Sequence, residues 1–124
     1  SPGEVMARIR AVMRRIPASE KDETLVIGTL SIHMPSLSVT LDGHKLNLTR
    51  REVELLYTLV GAPGRVFTRD NLLTMIWGYE FAGNYRAVDS HIKRLRAKLD
   101  VYPHPFFSIA TVWGAGYRFE RNLP

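Results

Sequence analysis

Between residues 86 and 99, four apolar residues recur at steps of four, three and four: Val88, Ile92, Leu95 and Leu99. On a helix turning by about 100° per residue they form one stripe. Arg86, Ser90, Lys93, Arg94 and Ala97 fall on the other side. The pattern predicts a helix over residues 84–99 with one buried face and one basic face with short side chains. A face of that kind fits the major groove of duplex DNA.

The preceding chain has a different period. In residues 24–48, Leu30, Ile32 and Met34 alternate with polar residues, as do Leu37, Val39 and Leu41, and Leu46 and Leu48 close the set. Pro35-Ser36 predicts one tight connection. Asp42-Gly43 predicts a type I′ hairpin. A small antiparallel sheet with one apolar face must pack against helices.

Thr49-Arg50-Arg51-Glu52 reads as a capping box that opens a first helix, with Leu48 and Val53 as its staple. Val53, Leu56, Leu59 and Val60 line its buried face, and Gly61-Ala62-Pro63-Gly64 ends it. A second helix starts at Thr68 and turns Leu72, Leu73 and Ile76 inward. Residues 77–83 form a turn-rich loop, after which Asn84 caps the basic helix. Two short helices, a loop and a basic third helix are the layout of a helix-turn-helix variant. Pro103 and Pro105 then stop helical structure. Phe107, Ile109, Thr111 and Trp113 predict one strand, Gly114-Ala115-Gly116 a turn, and Tyr117 and Phe119 the returning strand. The fold class is α+β: an N-terminal antiparallel sheet, a three-helix core and a C-terminal hairpin.

Charge sharpens this picture. The net charge of +5 is unevenly placed. Residues 1–16 and residues 84–100 each carry +3, whereas residues 17–48 carry −2. Basic charge concentrated on particular helices favours a polyanionic partner. Residues 4–16 read as an amphipathic helix and 17–23 as a polar linker. That helix either belongs to a neighbouring domain or folds back on residues 24–124.

The third helix carries the candidate chemistry. Arg94 is the leading base reader, because a guanidinium matches guanine O6 and N7 with two hydrogen bonds. Ser90 is small and can donate or accept, and Ala97 suits a thymine methyl. Arg86, Lys93 and Arg96 flank the groove face and suit phosphates. Asp89 either accepts from a cytosine amino group or orients a neighbouring arginine. Thr111 and Tyr117 have hydroxyls suited to phosphate, although strand propensity alone explains them. Tyr79 and Phe81 are large rings in a turn-rich loop, suited to anchoring it or to meeting a protein.

Other classes of function find little support. The chain has no cysteine, which excludes disulfides and thiol chemistry. Its four histidines lack a second ligand at metal-binding spacing, so no metal or cofactor is expected. No serine elbow or phosphate loop is present, and Glu52 and Glu54 face different directions on their helix. The expectation is a non-enzyme. No apolar run is long enough to cross a bilayer, and the reading places the protein in the cytoplasm.

Three segments in order, LTRREVELLYTLVGAPGRVFTRDNLLTMIWG, RAVDSHIKRLRAKL and TVWGAGYRF, resemble the winged-helix output domain of OmpR/PhoB-type two-component response regulators. The WGYEFAG loop with TVWGAGYRFE is most similar to ResD-like redox regulators. The resemblance covers nearly all of residues 24–120. It implies sequence-specific DNA binding and transcription control, with the third helix in the major groove and the hairpin as a wing. Arg86, Lys93 and Arg96 resemble phosphate-gripping residues. Trp77 resembles an aromatic packed on the DNA backbone, and Thr111 and Tyr117 resemble backbone contacts near the wing. Asp89, Ser90, Arg94 and Ala97 occupy or adjoin the base-facing part of the helix. Arg118 lies next to the inner strand of the wing. The loop with Tyr79, Glu80 and Phe81 resembles the segment that meets RNA polymerase. Residues 1–16 resemble the last helix of a phosphorylatable receiver domain, which implies that receiver and a histidine kinase as partners of the intact regulator. Binding by two copies to direct-repeat half-sites is also implied. Two departures stand out: Ala87 sits where many relatives have threonine, and Trp113 where many have a wing arginine. The alternative is a winged-helix protein-interaction module that reads no DNA sequence.

Overall fold

The fold is known from a computed structural model that describes residues 23–122. The amphipathic helix expected over residues 4–16 and most of the linker lie outside the described residues. Four short strands come first: β1 (Thr24–Ile27), β2 (Leu30–His33), β3 (Ser38–Leu41) and β4 (His44–Lys45). They form an antiparallel sheet in chain order. Leu30 pairs with Leu41 and Ile32 with Val39, and all four are sealed in the core. One face of the alternation is therefore buried, which fixes the register, because a slip of one residue would expose the set. Asp42 and Gly43 both have positive φ, 54° and 79°, as a type I′ turn requires. Leu37 departs from the expected alternation. It sits at φ 52° in the turn before β3, where its amide bonds back to the Met34 carbonyl at 3.0 Å.

Helix α1 (Arg50–Val60) starts as its capping box predicts. The Glu52 amide donates to Thr49 Oγ1 at 3.3 Å, and the Thr49 amide donates to Glu52 Oε1 at 2.9 Å. Leu55 joins the four expected residues in the core. Glu52 is itself fully buried. Lys98 Nζ, from the third helix, donates to its Oε1 at 2.7 Å, while Oε2 finds no partner among the described residues. The cap of one helix is thus tied to the far end of another.

A strand that the sequence reading lacked, β5 (Val66–Thr68), follows. Helix α2 (Arg69–Leu72) is capped by Thr68, whose hydroxyl accepts from the Asn71 amide at 2.9 Å. It continues into a wider π turn over Leu73–Trp77. Gly78, at φ 103°, breaks the helix, and a single 3-10 turn occupies Tyr79–Phe81. Helix α3 (Tyr85–Leu99) carries the basic face. Asn84 precedes it but makes no side-chain cap bond, contrary to the expectation.

Val88, Ile92, Leu95 and Leu99 are all buried. Burying four such side chains is worth roughly 6–12 kcal/mol gross, far more than helix propensity differences of a few tenths per residue. The apolar stripe therefore sets which face of α3 is left to solvent. Both α1 and α2 pack against α3.

The chain closes with β6 (Phe107–Val112) and β7 (Gly116–Arg121). With β5 they form a three-stranded sheet in the order β5-β7-β6. Trp113 lies beyond β6 in the exposed turn rather than within the strand. Gly116 belongs to β7 rather than to the turn, and a Cβ there would lie 2.0 Å from the Phe67 carbonyl oxygen. The close approach of β5 to β7 needs a glycine at that position. Among the described residues, no helix is long and apolar enough to cross a membrane.

Candidate nucleic-acid interface

The stripe that buries one side of α3 leaves Arg86, Lys93, Arg94 and Ala97 exposed, with Ser90 half-buried beside them. Among the described residues, the side chains of Arg86, Ser90, Lys93 and Arg94 make no hydrogen bond or ion pair within the domain. Three unpaired cations thus surround a narrow strip of small residues. Such a surface can admit a groove edge, with phosphates on either side.

The other residues singled out on α3 are already engaged. Arg96 Nε and Nη2 both donate to the Ile109 carbonyl, at 3.0 and 2.8 Å, and Nη2 also donates to Thr111 Oγ1 at 2.7 Å. Its guanidinium carbon lies 5.4 Å from the centre of the Tyr117 ring. Arg96 therefore clamps β6 to α3, and only part of its fork is left for a phosphate. Asp89 accepts from Arg69 Nη1 at 3.0 Å through Oδ2, and from the Tyr117 hydroxyl at 2.7 Å through Oδ1. Of its two expected roles, holding an arginine is the one this geometry displays.

Tyr117 is buried except for its rim. Burial first, and the Asp89 carboxylate second, push its phenol up to about 12. The hydroxyl stays protonated and donates to Asp89 throughout the neutral range. Arg69 also lies over the Tyr85 ring, 4.7 Å from its centre. The Tyr85 phenol is raised by a hydrogen bond with Asp70 and by that carboxylate's charge. Arg69, Asp89 and Tyr117, with Thr111 and Trp113, line a shallow cleft of about 190 Å³ between the α2–α3 pair and the hairpin.

Trp113, at the hairpin tip, is 90% exposed. Arg118 points to the sheet face opposite Tyr117 and is held by Glu120, with Nε donating to Oε2 at 3.0 Å and Nη2 bonding the same oxygen. It is thus neutralised locally.

Trp77 is only 9% exposed. His91 meets it edge-on at 5.1 Å, and the Arg51 guanidinium lies 5.4 Å from its ring centre. Packing accounts for nearly all of this indole, which leaves only an edge for a phosphate. His91 Nδ1 is 2.8 Å from the Ala87 carbonyl, in keeping with a partly packed histidine. Among the described residues, no group of three or more potential ligands could hold a metal ion. In the α2–α3 loop, Tyr79 is 83% exposed and Glu80 is exposed, while Phe81 packs against the core.

Arg69 was missed from the sequence because its partner lies twenty positions away on another helix. Arg51 was also missed. It donates to the Ile76 carbonyl and steadies the π turn behind the loop. Neither residue lies in a local pattern that marks it.

The chain belongs to the family described as "Transcriptional regulatory protein, C terminal", whose model matches residues 43–119. This is the winged-helix output domain of OmpR/PhoB-type response regulators, a DNA-binding regulatory domain and not an enzyme. The chain is similar to the transcriptional regulatory protein ResD of Bacillus subtilis (44% identity over 128 residues, 97% of this chain and 53% of ResD). It is also similar to the transcriptional regulatory protein SrrA of Staphylococcus aureus (40% identity, 97% of this chain and 53% of SrrA). It therefore spans about half the length of the curated relatives it matches. Among solved structures, it resembles the Klebsiella pneumoniae RstA DNA-binding domain in complex with the RstA box. That match has TM-score 0.66 and 32% identity, over 79% of this chain and 97% of the RstA chain. The DNA-binding domain of CpxR from E. coli matches with TM-score 0.67 and 31% identity, over 81% and 98%.

Proposed function

We propose that this domain reads a short duplex DNA site with α3 in the major groove and the β6–β7 hairpin along the adjoining backbone, as the output of a two-component regulator. The observation that carries the reading is the free basic face of α3. Arg86, Lys93 and Arg94 have no internal partners among the described residues, while the stripe of Val88, Ile92, Leu95 and Leu99 is buried. In this reading Arg94 reads a guanine edge, and Ser90 and Ala97 permit close approach. Arg86, Lys93 and the free part of Arg96 neutralise phosphates, with the Thr111 hydroxyl and the edge of Trp77 at the margin, while Tyr117, whose one hydroxyl proton goes to Asp89, braces the wing instead of contacting phosphate. Trp113 brings an apolar ring to the wing tip without a charge of its own.

The same reading gives the full-length regulator a receiver domain acted on by a histidine kinase. It has two copies bind side by side on direct repeats, and it places them in the cytoplasm. Tyr79 and Glu80 meet RNA polymerase, with Phe81 anchoring the loop. The similarity to ResD and SrrA supports a regulator of that kind.

The test is selection of bound fragments from the source genome, followed by titration of a selected duplex, a random duplex, a single strand and a structured RNA over a salt series. Duplex binding should weaken steeply with salt, and the selected duplex should keep its advantage. Equal, weak binding to every nucleic acid would favour the protein-interaction alternative.

A further inference from the structure

We propose that Asp89 limits the sequence-independent part of DNA affinity without touching a base, by holding Arg69 and so preventing it from adding a phosphate contact. This inference rests on the DNA-binding reading above. Asp89 and Arg69 are each a little over 40% exposed at the side chain, and they meet at 3.0 Å beside the free basic face of α3. Arg69 is therefore a cation at the rim of the interface whose charge is cancelled in place.

The geometry keeps Asp89 on this task. Its other oxygen accepts from the Tyr117 hydroxyl at 2.7 Å, and Tyr117 lies in β7, paired to β5 at Phe67. Arg69 follows β5 directly and has its guanidinium over Tyr85. Both ends of the ion pair are thus fixed by packed elements. With one oxygen facing Arg69 and the other facing Tyr117, the carboxylate directs neither principal contact toward a base. Its negative charge beside the groove face also repels phosphate. Phosphate contacts add affinity on every sequence, whereas base contacts add it only on the right one. A carboxylate that cancels one rim cation therefore lowers affinity on every sequence alike and leaves the margin between selected and random DNA to the base contacts.

The pair gives a distinctive pattern in a double-mutant cycle. Asp89→Asn keeps the shape and an acceptor for Tyr117 but frees Arg69. It should tighten binding to random and selected duplexes alike by about two- to fivefold, the range of one exposed charge interaction. It should also steepen the salt slope by about one. Arg69→Gln leaves Asp89 unopposed and should move both quantities the other way. The double variant should return close to wild type.

Binding is measured by titration on selected and random duplexes over a salt series, with thermal unfolding as the check on folding. If wild type binds no duplex, the functional reading itself fails. If wild type binds but the single variants do not shift random-duplex affinity in opposite directions, only the present inference is overturned. A loss confined to the selected duplex in Asp89→Asn would show instead that Asp89 reads a base. Should Asp89→Asn fail to fold, Arg69→Gln alone still decides: unchanged random-duplex affinity and slope would refute the inference.

Discussion

Replacing Arg96 by alanine removes the clamp between α3 and β6. Three hydrogen bonds disappear: two onto the Ile109 carbonyl and one onto Thr111 Oγ1, all between 2.7 and 3.0 Å. A hydrogen bond from a charged donor contributes about 1.5–3 kcal/mol net. The three share one half-exposed guanidinium, and Nη2 serves two acceptors, so they do not add in full. The Ile109 carbonyl also loses its side-chain donor, although β7 still pairs with this strand. The expected cost is about 2–3 kcal/mol, within the range of broken buried networks. For a domain of this size that lowers the melting temperature by roughly 10–20 °C. Arg96→Lys keeps the charge but not the fork, and should recover less than half. The assay combines urea unfolding with hydrogen exchange along β6 and β7, where protection should fall first near residues 109–111. DNA affinity should drop on selected and random duplexes alike, because the wing is no longer held beside α3. A stability loss below about 0.5 kcal/mol, the size of an ordinary surface change, would refute the clamp.

Three further outcomes follow from other parts of the structure. Gly116→Ala places a Cβ 2.0 Å from the Phe67 carbonyl, so β5 must separate from β7. Overpacking of this kind costs about 1–3 kcal/mol, and unchanged urea unfolding would contradict the observed strand spacing. The Tyr117 phenol is raised to about 12 from an ordinary value of 10.0. Its contribution to stability is complete below pH 10 and is lost as pH rises from there toward about 12. Unfolding at alkaline pH should therefore be less steep in Tyr117→Phe, and an ordinary phenol titration by ultraviolet absorbance would overturn the assignment. Glu80→Lys should leave duplex binding intact or slightly tighter while lowering activated transcription with purified polymerase at saturating regulator. Unchanged transcript yield would argue against Glu80 as a polymerase contact.

The sequence made legible those features whose causes are local. The stripe of Val88, Ile92, Leu95 and Leu99 contains its own register. Thr49 with Glu52, and Asp42 with Gly43, are chemical instructions spanning two to four residues. Leu37 was misplaced because its apolar character matched Val39 and Leu41, while the turn needed a residue at positive φ. Strand β5 was invisible because three residues cannot display an alternation, and its existence depends on β7 fifty positions later. The same limit applies to the interface. Which cations were free was not legible. Lys93 and Arg96 look alike along the chain, but one faces solvent and the other is bound to β6. Asp89 likewise gives no local sign of Arg69 and Tyr117, which three different elements bring together.

The claim that the free face of α3 reads sequence is tested most directly by comparing Arg94→Ala with Lys93→Ala. Both side chains are exposed and unpaired among the described residues, so neither change should disturb the fold. Each variant is titrated by competition between selected and random duplexes at several salt concentrations. Arg94→Ala should erode the preference for the selected duplex by about 1–3 kcal/mol. Lys93→Ala should weaken both duplexes equally and reduce the salt slope by about one. Equal losses on both duplexes for Arg94→Ala would contradict base reading by this helix.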